Sequence, residues 1–544
     1  MSDRKIAIRV EDVSITFPSE TGPVTAVKNV SFDVCENEFF GIVGESGSGK
    51  STVCRAITRL LPDRSVVTGR ITVHAEEMLK IDIDRLRDIR GNGISMIFQN
   101  PSSHLNPLMT IGEQISETAR FHLKSGKAAL RDLALSTLQG VRFSNPALQV
   151  DAYPHQLSGG MKQRAMIGAA LACDSRIIVA DEPTTALDVT VQAEILKLLR
   201  QLRQERGLTI ILISHDLGVI ATMCDRIAVM KDGQIVEQGR TEDVILSPKE
   251  DYTKRLIASR PEAVRLHERS WHGEKTPAGN PLLSVEEVSI HFGGNRKGAL
   301  VRAVENVSFD VLRGDIVGIV GESGSGKSTI VRAMIGLNTP TAGRILFDGA
   351  DVRQFTGKAR TAFLRRVQMI FQHPMDSLDP RFTISQSIAE PLRLHRIVAP
   401  DRIDARVREL MAMVELSPDL LARRPRDISG GQAQRVCIAR ALAMEPEVLI
   451  ADEITSALDV TIQAQILRLL ARLKEEMGLT ILFVTHDLDV VRSFCNRVLV
   501  MKTGRLVETG PPERIFGAPE QDYTRQLIAV IPRLPVEGKA AAGA

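Results

Sequence analysis

Continuous apolar runs punctuate this chain at intervals: IIVA before Asp181, TIILIS before His215, LIA before Asp452 and TILFVT before His486. Runs this short, rich in branched residues, predict strands buried on both faces. Between them lie amphipathic segments of helical period. In TVCRAITRLL, Val53, Ala56, Ile57, Leu60 and Leu61 share one helical face before Pro62 stops it. The alternation predicts an α/β core with a largely parallel sheet. Nowhere does an apolar run approach the roughly 18 residues that suggest a membrane-crossing helix. The start, MSDRKIAIRVEDVS, offers no apolar stretch that could serve as a secretion signal.

The pattern is written twice. VEDVSITF at 10–17 answers VEEVSIHF at 285–292, and GIVGESGSGKST recurs 277 positions on, from Gly41 to Gly318. The offset falls to 273 between Gln99 and Gln372, then stays at 271 from Ser158 and Ser429 through Asp181/Asp452 and His215/His486 to Tyr252/Tyr523. A core of constant length therefore follows sectors of variable length. The polar stretch 260–283 holds three prolines and the single tryptophan, Trp271, and reads as a linker too short for another folded domain. The expected layout is a first domain at 1–260, a linker at 261–281, a second domain at 282–533 and a flexible tail at 534–544.

Composition narrows the picture only slightly. With 43% hydrophobic and 25% charged residues the chain is globular rather than disordered, and a net charge of +3 argues against a strongly basic nucleic-acid surface. Cys35, Cys54, Cys173, Cys224, Cys437 and Cys495 are scattered, without C-x-x-C spacing, as expected of reduced thiols.

The chemistry is carried by motifs in fixed order. Gly44, Glu45, Ser46, Gly47, Ser48, Gly49, Lys50, Ser51 and Thr52 form a G-x-x-x-x-G-K-[ST] loop, repeated as Gly321, Glu322, Ser323, Gly324, Ser325, Gly326, Lys327, Ser328 and Thr329. Such a loop, placed between strand and helix, closes backbone N–H groups around the phosphates of ATP. Lys50 and Lys327 are expected to reach the β and γ phosphates, and the Ser51 and Ser328 hydroxyls suit Mg²⁺. Two apolar strands end in adjacent carboxylates: Asp181 and Asp452 are candidates to hold hydrated Mg²⁺, Glu182 and Glu453 to polarise the attacking water. His215 and His486, at the rim of an apolar sheet, recur at the fixed offset, which favours a role near the γ-phosphate. At LSGGMKQR and ISGGQAQR, a serine and two glycines at a helix start (Ser158, Gly159, Gly160; Ser429, Gly430, Gly431) present N–H donors to an anion.

Together with ALD at 186–188 and 457–459, these motifs resemble the ABC ATPase superfamily along nearly the whole chain. The resemblance implies two tandem P-loop nucleotide-binding domains, each with a mixed β-sheet core and a helical subdomain. It implies a head-to-tail pair in which Ser158, Gly159 and Gly160 complete the site of Lys327, and Ser429, Gly430 and Gly431 that of Lys50. Gln99 and Gln372 match the family's Q-loop glutamine, which contacts Mg²⁺ and relays nucleotide state to a membrane partner. Phe17 and Phe292 stand where family members stack an aromatic ring on adenine, the alternative being plain strand packing. Ile454 replaces the proline found as Pro183, with little expected catalytic consequence.

FQNPSSHLNP and FQHPMDSLDP, with the endings DYTKRLIAS and DYTRQLIAV, are similar to the oligopeptide, dipeptide and nickel importer ATPases, although His104, Asp251 and Asp522 depart from that pattern. The cysteine cluster some relatives carry near the tail is missing, so no iron–sulfur centre is expected. The implied protein is an ATP-hydrolysing importer motor, peripheral on the cytoplasmic face of the inner membrane. Two transmembrane permease subunits and a solute-binding protein are its implied partners, with membrane contact only through the permeases and no nucleic acid. The alternative, a soluble twin-ABC factor acting on ribosome or DNA, needs a long charged linker, a coiled-coil arm or a zinc insertion, none of which the sequence displays. Peptide, nickel and other small solutes all remain open as cargo.

Overall fold

The computed structural model describes residues 5–19, 22–123, 126–185, 187–258, 280–293, 300–455 and 458–531. The linker with Trp271, the C-terminal tail, and Ala186 and Ala457 of the two ALD motifs lie outside the described residues. The chain divides between Ala258 and Ser259 into two compact units.

In the first unit a six-stranded sheet runs in the order Gln234–Arg240, Arg226–Lys231, Phe39–Val43, Thr209–Ile213, Ile177–Asp181, Ile94–Ile97. All neighbours are parallel except the Gln234–Arg240 edge, which pairs antiparallel. The strands FFGIV, IIVAD and TIILI are buried at every position, as a parallel sheet covered on both faces requires. Period-2 alternation then sorts their side chains into two cores. Phe39, Val43, Ile178 and Leu212 pack with the helices Lys127–Gly140, Gly159–Leu171 and Val189–Arg206. Phe40, Ile42, Val179 and Ile211 pack instead against a separate four-stranded antiparallel sheet, built on Ile6–Phe17 and Val24–Cys35. The predicted parallel core is present, and the antiparallel sheet is a layer that the alternation of strands and helices did not foretell.

The second unit repeats this plan. Its six-stranded order is Val367–Ile370, Val448–Asp452, Thr480–Val484, Ile316–Val320, Arg497–Lys502, Arg505–Gly510, and its antiparallel sheet centres on Leu283–Phe292. Part of the drift in offset has a visible seat. The helix Ile83–Asn92 breaks at Gly91 (φ 92°) just before the strand at Ile94, whereas Gly357–Arg366 runs directly into Val367.

One local expectation fails. The helix after the first P-loop spans only Lys50–Ile57, not through Leu61, and Leu60 is 40% exposed. Arg59 turns left-handed (φ 55°), so that Arg59 N–H reaches Ala56 O and Leu60 N–H reaches Arg55 O, which closes the helix. In the second unit Gly336 (φ 70°) performs the same turn. Arg59 is held in this uncommon conformation by hydrogen bonds from its guanidinium to Met78 O and Ile81 O.

Candidate functional site

The sheet delivers the site. Phe39–Val43 and Ile316–Val320 end at the two glycine loops, and the helices Lys50–Ile57 and Lys327–Met334 start directly after them. Two glycines per loop are required sterically. Gly49 and Gly326, both at φ 98°, occupy the helix N-caps in a left-handed conformation. A Cβ on Gly44 or Gly321 would lie 2.2 or 2.1 Å from the carbonyl oxygen of Met230 or Met501. Lys50 Nζ donates to Gly44 O and Glu45 O at 2.7 Å each, and Lys327 Nζ to Gly321 O and Glu322 O at 2.8 and 2.9 Å. Each ammonium is thereby buried across the mouth of its own loop.

The neighbouring strands Ile177–Asp181 and Val448–Asp452 bring in the carboxylates. Ser51 Oγ donates to Asp181 Oδ1 at 2.7 Å, and Ser328 Oγ to Asp452 Oδ1 at 3.0 Å. Burial pushes both aspartate carboxyls above their usual range, against the serine hydrogen bonds. A hydroxyl and a carboxylate at the foot of a phosphate loop fit Mg²⁺, which takes oxygen ligands and characteristically shares one or two carboxylates with substrate phosphates.

Glu182 and Glu453 follow with left-handed backbones (φ 46° and 50°), a strained state for a non-glycine residue. Their N–H groups are fixed on Ile213 O and Val484 O at 3.1 and 2.9 Å. From this turn each carboxylate meets side chains that follow the two neighbouring strands. Gln99 Nε2 donates to Glu182 Oε2 at 2.7 Å, Thr185 Oγ1 joins it at 2.9 Å, and His215 Nδ1 lies 3.4 Å from Oε1. In the second unit Gln372 Nε2 donates to Glu453 Oε2 at 2.7 Å, with His486 Nδ1 at 3.7 Å. Burial pushes both glutamates up, but His215 and His486 by hydrogen bond and charge, together with the Thr185 hydrogen bond on Glu182 and the charge of Lys50 or Lys327, hold them below the ordinary value. Adjacent carboxylates are thus driven in opposite directions, which separates their chemical tasks.

The signature residues lie elsewhere in each unit, at the start of the helices Gly159–Leu171 and Gly430–Leu442. Ser158 and Ser429 cap them, accepting from Met161 N and Gln432 N at 3.3 Å. Packing explains only the second glycine. A Cβ on Gly160 would meet Val191 Cγ1 at 2.5 Å, and one on Gly431 Ile462 Cγ2 at 2.8 Å. Gly159 and Gly430 are exposed, and a Cβ there would meet nothing closer than 3.5 Å. The two candidate aromatic residues differ. Phe17 is half-buried against the antiparallel-sheet core, while Phe292 is 45% exposed.

Two residues at this site escaped the sequence reading. Tyr252 Oη accepts from Glu45 N–H at 3.2 Å and Tyr523 Oη from Glu322 N–H at 3.3 Å, so the terminal helices Asp251–Ala258 and Asp522–Ala529 touch the phosphate loops. Their recurrence at the 271 offset was the available signal.

Comparison with known proteins agrees with this geometry. The ABC transporter family matches residues 27–185 and 304–456, and the oligopeptide/dipeptide transporter C-terminal region matches 236–282 and 507–543. The glutathione import ATP-binding protein GsiA of Salmonella choleraesuis is 41% identical over 561 residues, covering 97% of this chain and 90% of that protein. Its namesake in Pectobacterium atrosepticum is 40% identical, covering 98% and 90%, and that of Escherichia coli is 40% identical, covering 96% and 89%. With two P-loops, two Ser–Asp pairs and two Glu–Gln–His clusters on a duplicated sheet, the chain belongs to the ABC transporter family, as an ATPase subunit that uses ATP with Mg²⁺.

Proposed function

We propose that the chain is the motor of an importer for small peptides or peptide-like solutes. The observation that carries this reading is the doubled cluster of Lys, Ser–Asp and Glu–Gln–His around each phosphate loop. The match of both unit ends to an oligopeptide/dipeptide transporter region, and the glutathione importers among the relatives, support a peptide-like cargo.

In this reading the loop N–H groups and Lys50 or Lys327 bind and orient the ATP phosphates, with Phe17 and Phe292 beside the base. Ser51, Asp181 and Gln99 hold Mg²⁺ in one site, Ser328, Asp452 and Gln372 in the other. The metal, when bound, supplies charge neutralisation on the phosphate oxygens. Glu182 and Glu453, ionised at neutral pH, accept a hydrogen bond from the attacking water and draw on its proton. His215 and His486 position those carboxylates and face the γ-phosphate. The exposed Ser158–Gly159 and Ser429–Gly430 turns, whose open glycines serve no packing need, are each assigned to the ATP bound by the other half. The working division of the chain is 1–260, linker 261–281, 282–533 and tail 534–544.

Among the described residues no helix is long and apolar enough to cross a membrane. The translocation path is accordingly assigned to two separate permease subunits fed by a solute-binding protein, with the motor on the cytoplasmic face of the inner membrane. The deciding experiment is the double variant Glu182→Gln/Glu453→Gln. It should bind MgATP with near-normal affinity and retain about 1% or less of the hydrolysis rate. Near-normal turnover would overturn the assigned roles.

A further inference from the structure

The contact between the terminal helices and the phosphate loops is built the same way in both units. Tyr252 is 9% exposed and Tyr523 7%, each ring sunk into the helical-side core beside Leu256 or Leu527. A lysine clamps each ring: Lys231 Nζ lies 5.4 Å from the Tyr252 centroid, and Lys502 Nζ lies 4.4 Å from that of Tyr523. Those lysines directly follow Met230 and Met501, whose carbonyls abut the first loop glycines. Tyr252 and Tyr523 are thus each pinned on the ring by the strand that flanks the loop, while the hydroxyl accepts the N–H of Glu45 or Glu322. The carbonyls of those same two residues accept the ammonium of Lys50 and Lys327. The Gly44–Glu45 and Gly321–Glu322 peptide units therefore carry both the N–H given to the tyrosine hydroxyl and a carbonyl that anchors the phosphate-binding lysine.

We infer that Tyr252 and Tyr523 are positioning residues for nucleotide binding, holding the entrance of each phosphate loop in its phosphate-cradling shape from the C-terminal helix. The inference rests on the assignment of the two loops to ATP. The physical argument is preorganisation. A loop that cradles phosphates with backbone N–H groups binds them in proportion to the fraction of time it holds its cradling shape. The Glu45 N–H, tied to a hydroxyl on a buried ring, cannot swing outward without breaking that bond. Removing the hydroxyl leaves this donor unsatisfied in a half-buried place and frees the Glu45 peptide, and with it the acceptor that places Lys50. Chemistry on bound nucleotide does not involve the tyrosine, so affinity falls while turnover at saturation is kept. The terminal helix, which lies in the region shared with oligopeptide/dipeptide transporters, becomes an adjuster of ATP affinity rather than a bare end of the fold.

The test uses the full chain with Tyr252→Phe, Tyr523→Phe and both together. Each single substitution should raise the Kd of its own site for MgATP about fivefold, the net worth of one hydrogen bond. The double variant should raise the KM for ATP with kcat kept within about twofold. A second readout follows the rings directly. The chain has three tyrosines, so in a Tyr153→Phe background labelled with 3-fluorotyrosine only two ¹⁹F signals remain. Both should move on addition of Mg²⁺ and a non-hydrolysable ATP analogue, and each should vanish in its Phe variant. Unchanged affinities with unmoved signals would overturn the inference, as would parallel losses of kcat and thermal stability with KM unaltered. An unsubstituted chain that binds no nucleotide would instead overturn the site assignment beneath it.

Discussion

Gly159 and Gly160 are chemically identical neighbours with opposite reasons to be glycine. At Gly160 a methyl group would meet Val191 Cγ1 at 2.5 Å, and a β-branched valine in a helix has little freedom to yield. At Gly159 a methyl group has only Leu187 Cδ2 at 3.5 Å nearby, and alanine is the better helix former. Gly160→Ala should therefore lower stability by about 1–3 kcal/mol. Gly159→Ala should leave the melting temperature unchanged or slightly higher while ATP hydrolysis falls at least about tenfold, if the N–H donors that the new methyl group crowds bind a phosphate as proposed. Thermal melts beside steady-state rates separate the two effects, and full activity in Gly159→Ala would remove the signature turn from the site. Gly430 and Gly431 repeat the contrast against Ile462.

At the scale of elements the two units are less alike than their motifs. In the second unit Arg366, closing the helix Gly357–Arg366, bonds to Glu447 and Asp348, and Arg313 joins the same two carboxylates, reaching Glu447 at 2.7 Å. The network ties the helix to the starts of two parallel strands. In the first unit the corresponding positions hold Glu36, His74, Asn92 and Arg176, a set that cannot reproduce it. The hydrogen bond from Arg366 holds the Glu447 carboxyl below its ordinary value, despite partial burial. A depressed folded-state value contributes stability that is complete above the unfolded glutamate range, near pH 4.5, and lost as pH falls through the folded value. Glu447 is 37% exposed, so solvent screening limits the loss in Glu447→Gln to about 0.5–1 kcal/mol. Melts of wild type and variant should differ at pH 7 in low salt and converge as the pH falls below the unfolded glutamate range and through the depressed folded-state value; a difference that survives acid would sink the assignment.

The same scale marks where sequence reading stopped. Lys50, Ser51, Asp181 and Glu182 were legible because spacing alone puts them at a strand end and a helix start. The termination of the first P-loop helix at Ile57 was not, because periodicity cannot see that Arg59 finds two carbonyl partners in a left-handed turn. Nor could it show Tyr252 on Glu45, a contact between residues 207 positions apart that exists only once the sheet has formed. The pairing of Gln99 with Glu182 belongs to the same class: each residue was singled out by motif, and their contact came from neighbouring parallel strands.

For the whole molecule the question is whether two intact catalytic sets act as two enzymes or one. Each unit carries its own P-loop, Ser–Asp pair and strained glutamate, with the same hydrogen bonds at nearly the same lengths. If the units worked independently, Glu182→Gln and Glu453→Gln would each leave about half the hydrolysis rate and their effects would add. If each ATP is completed by the signature turn of the other half, a stalled site holds the pair closed and throttles the intact one. Each single variant should then fall far below half, to about a few per cent of the wild-type rate, close to the about 1% or less expected of the double variant, as residues acting as a unit do. Steady-state hydrolysis by the two single variants and the double variant, at equal ATP occupancy, decides between these. Retention of half the rate in both singles would establish independent cassettes, and full activity in one of them would mark its site as regulatory.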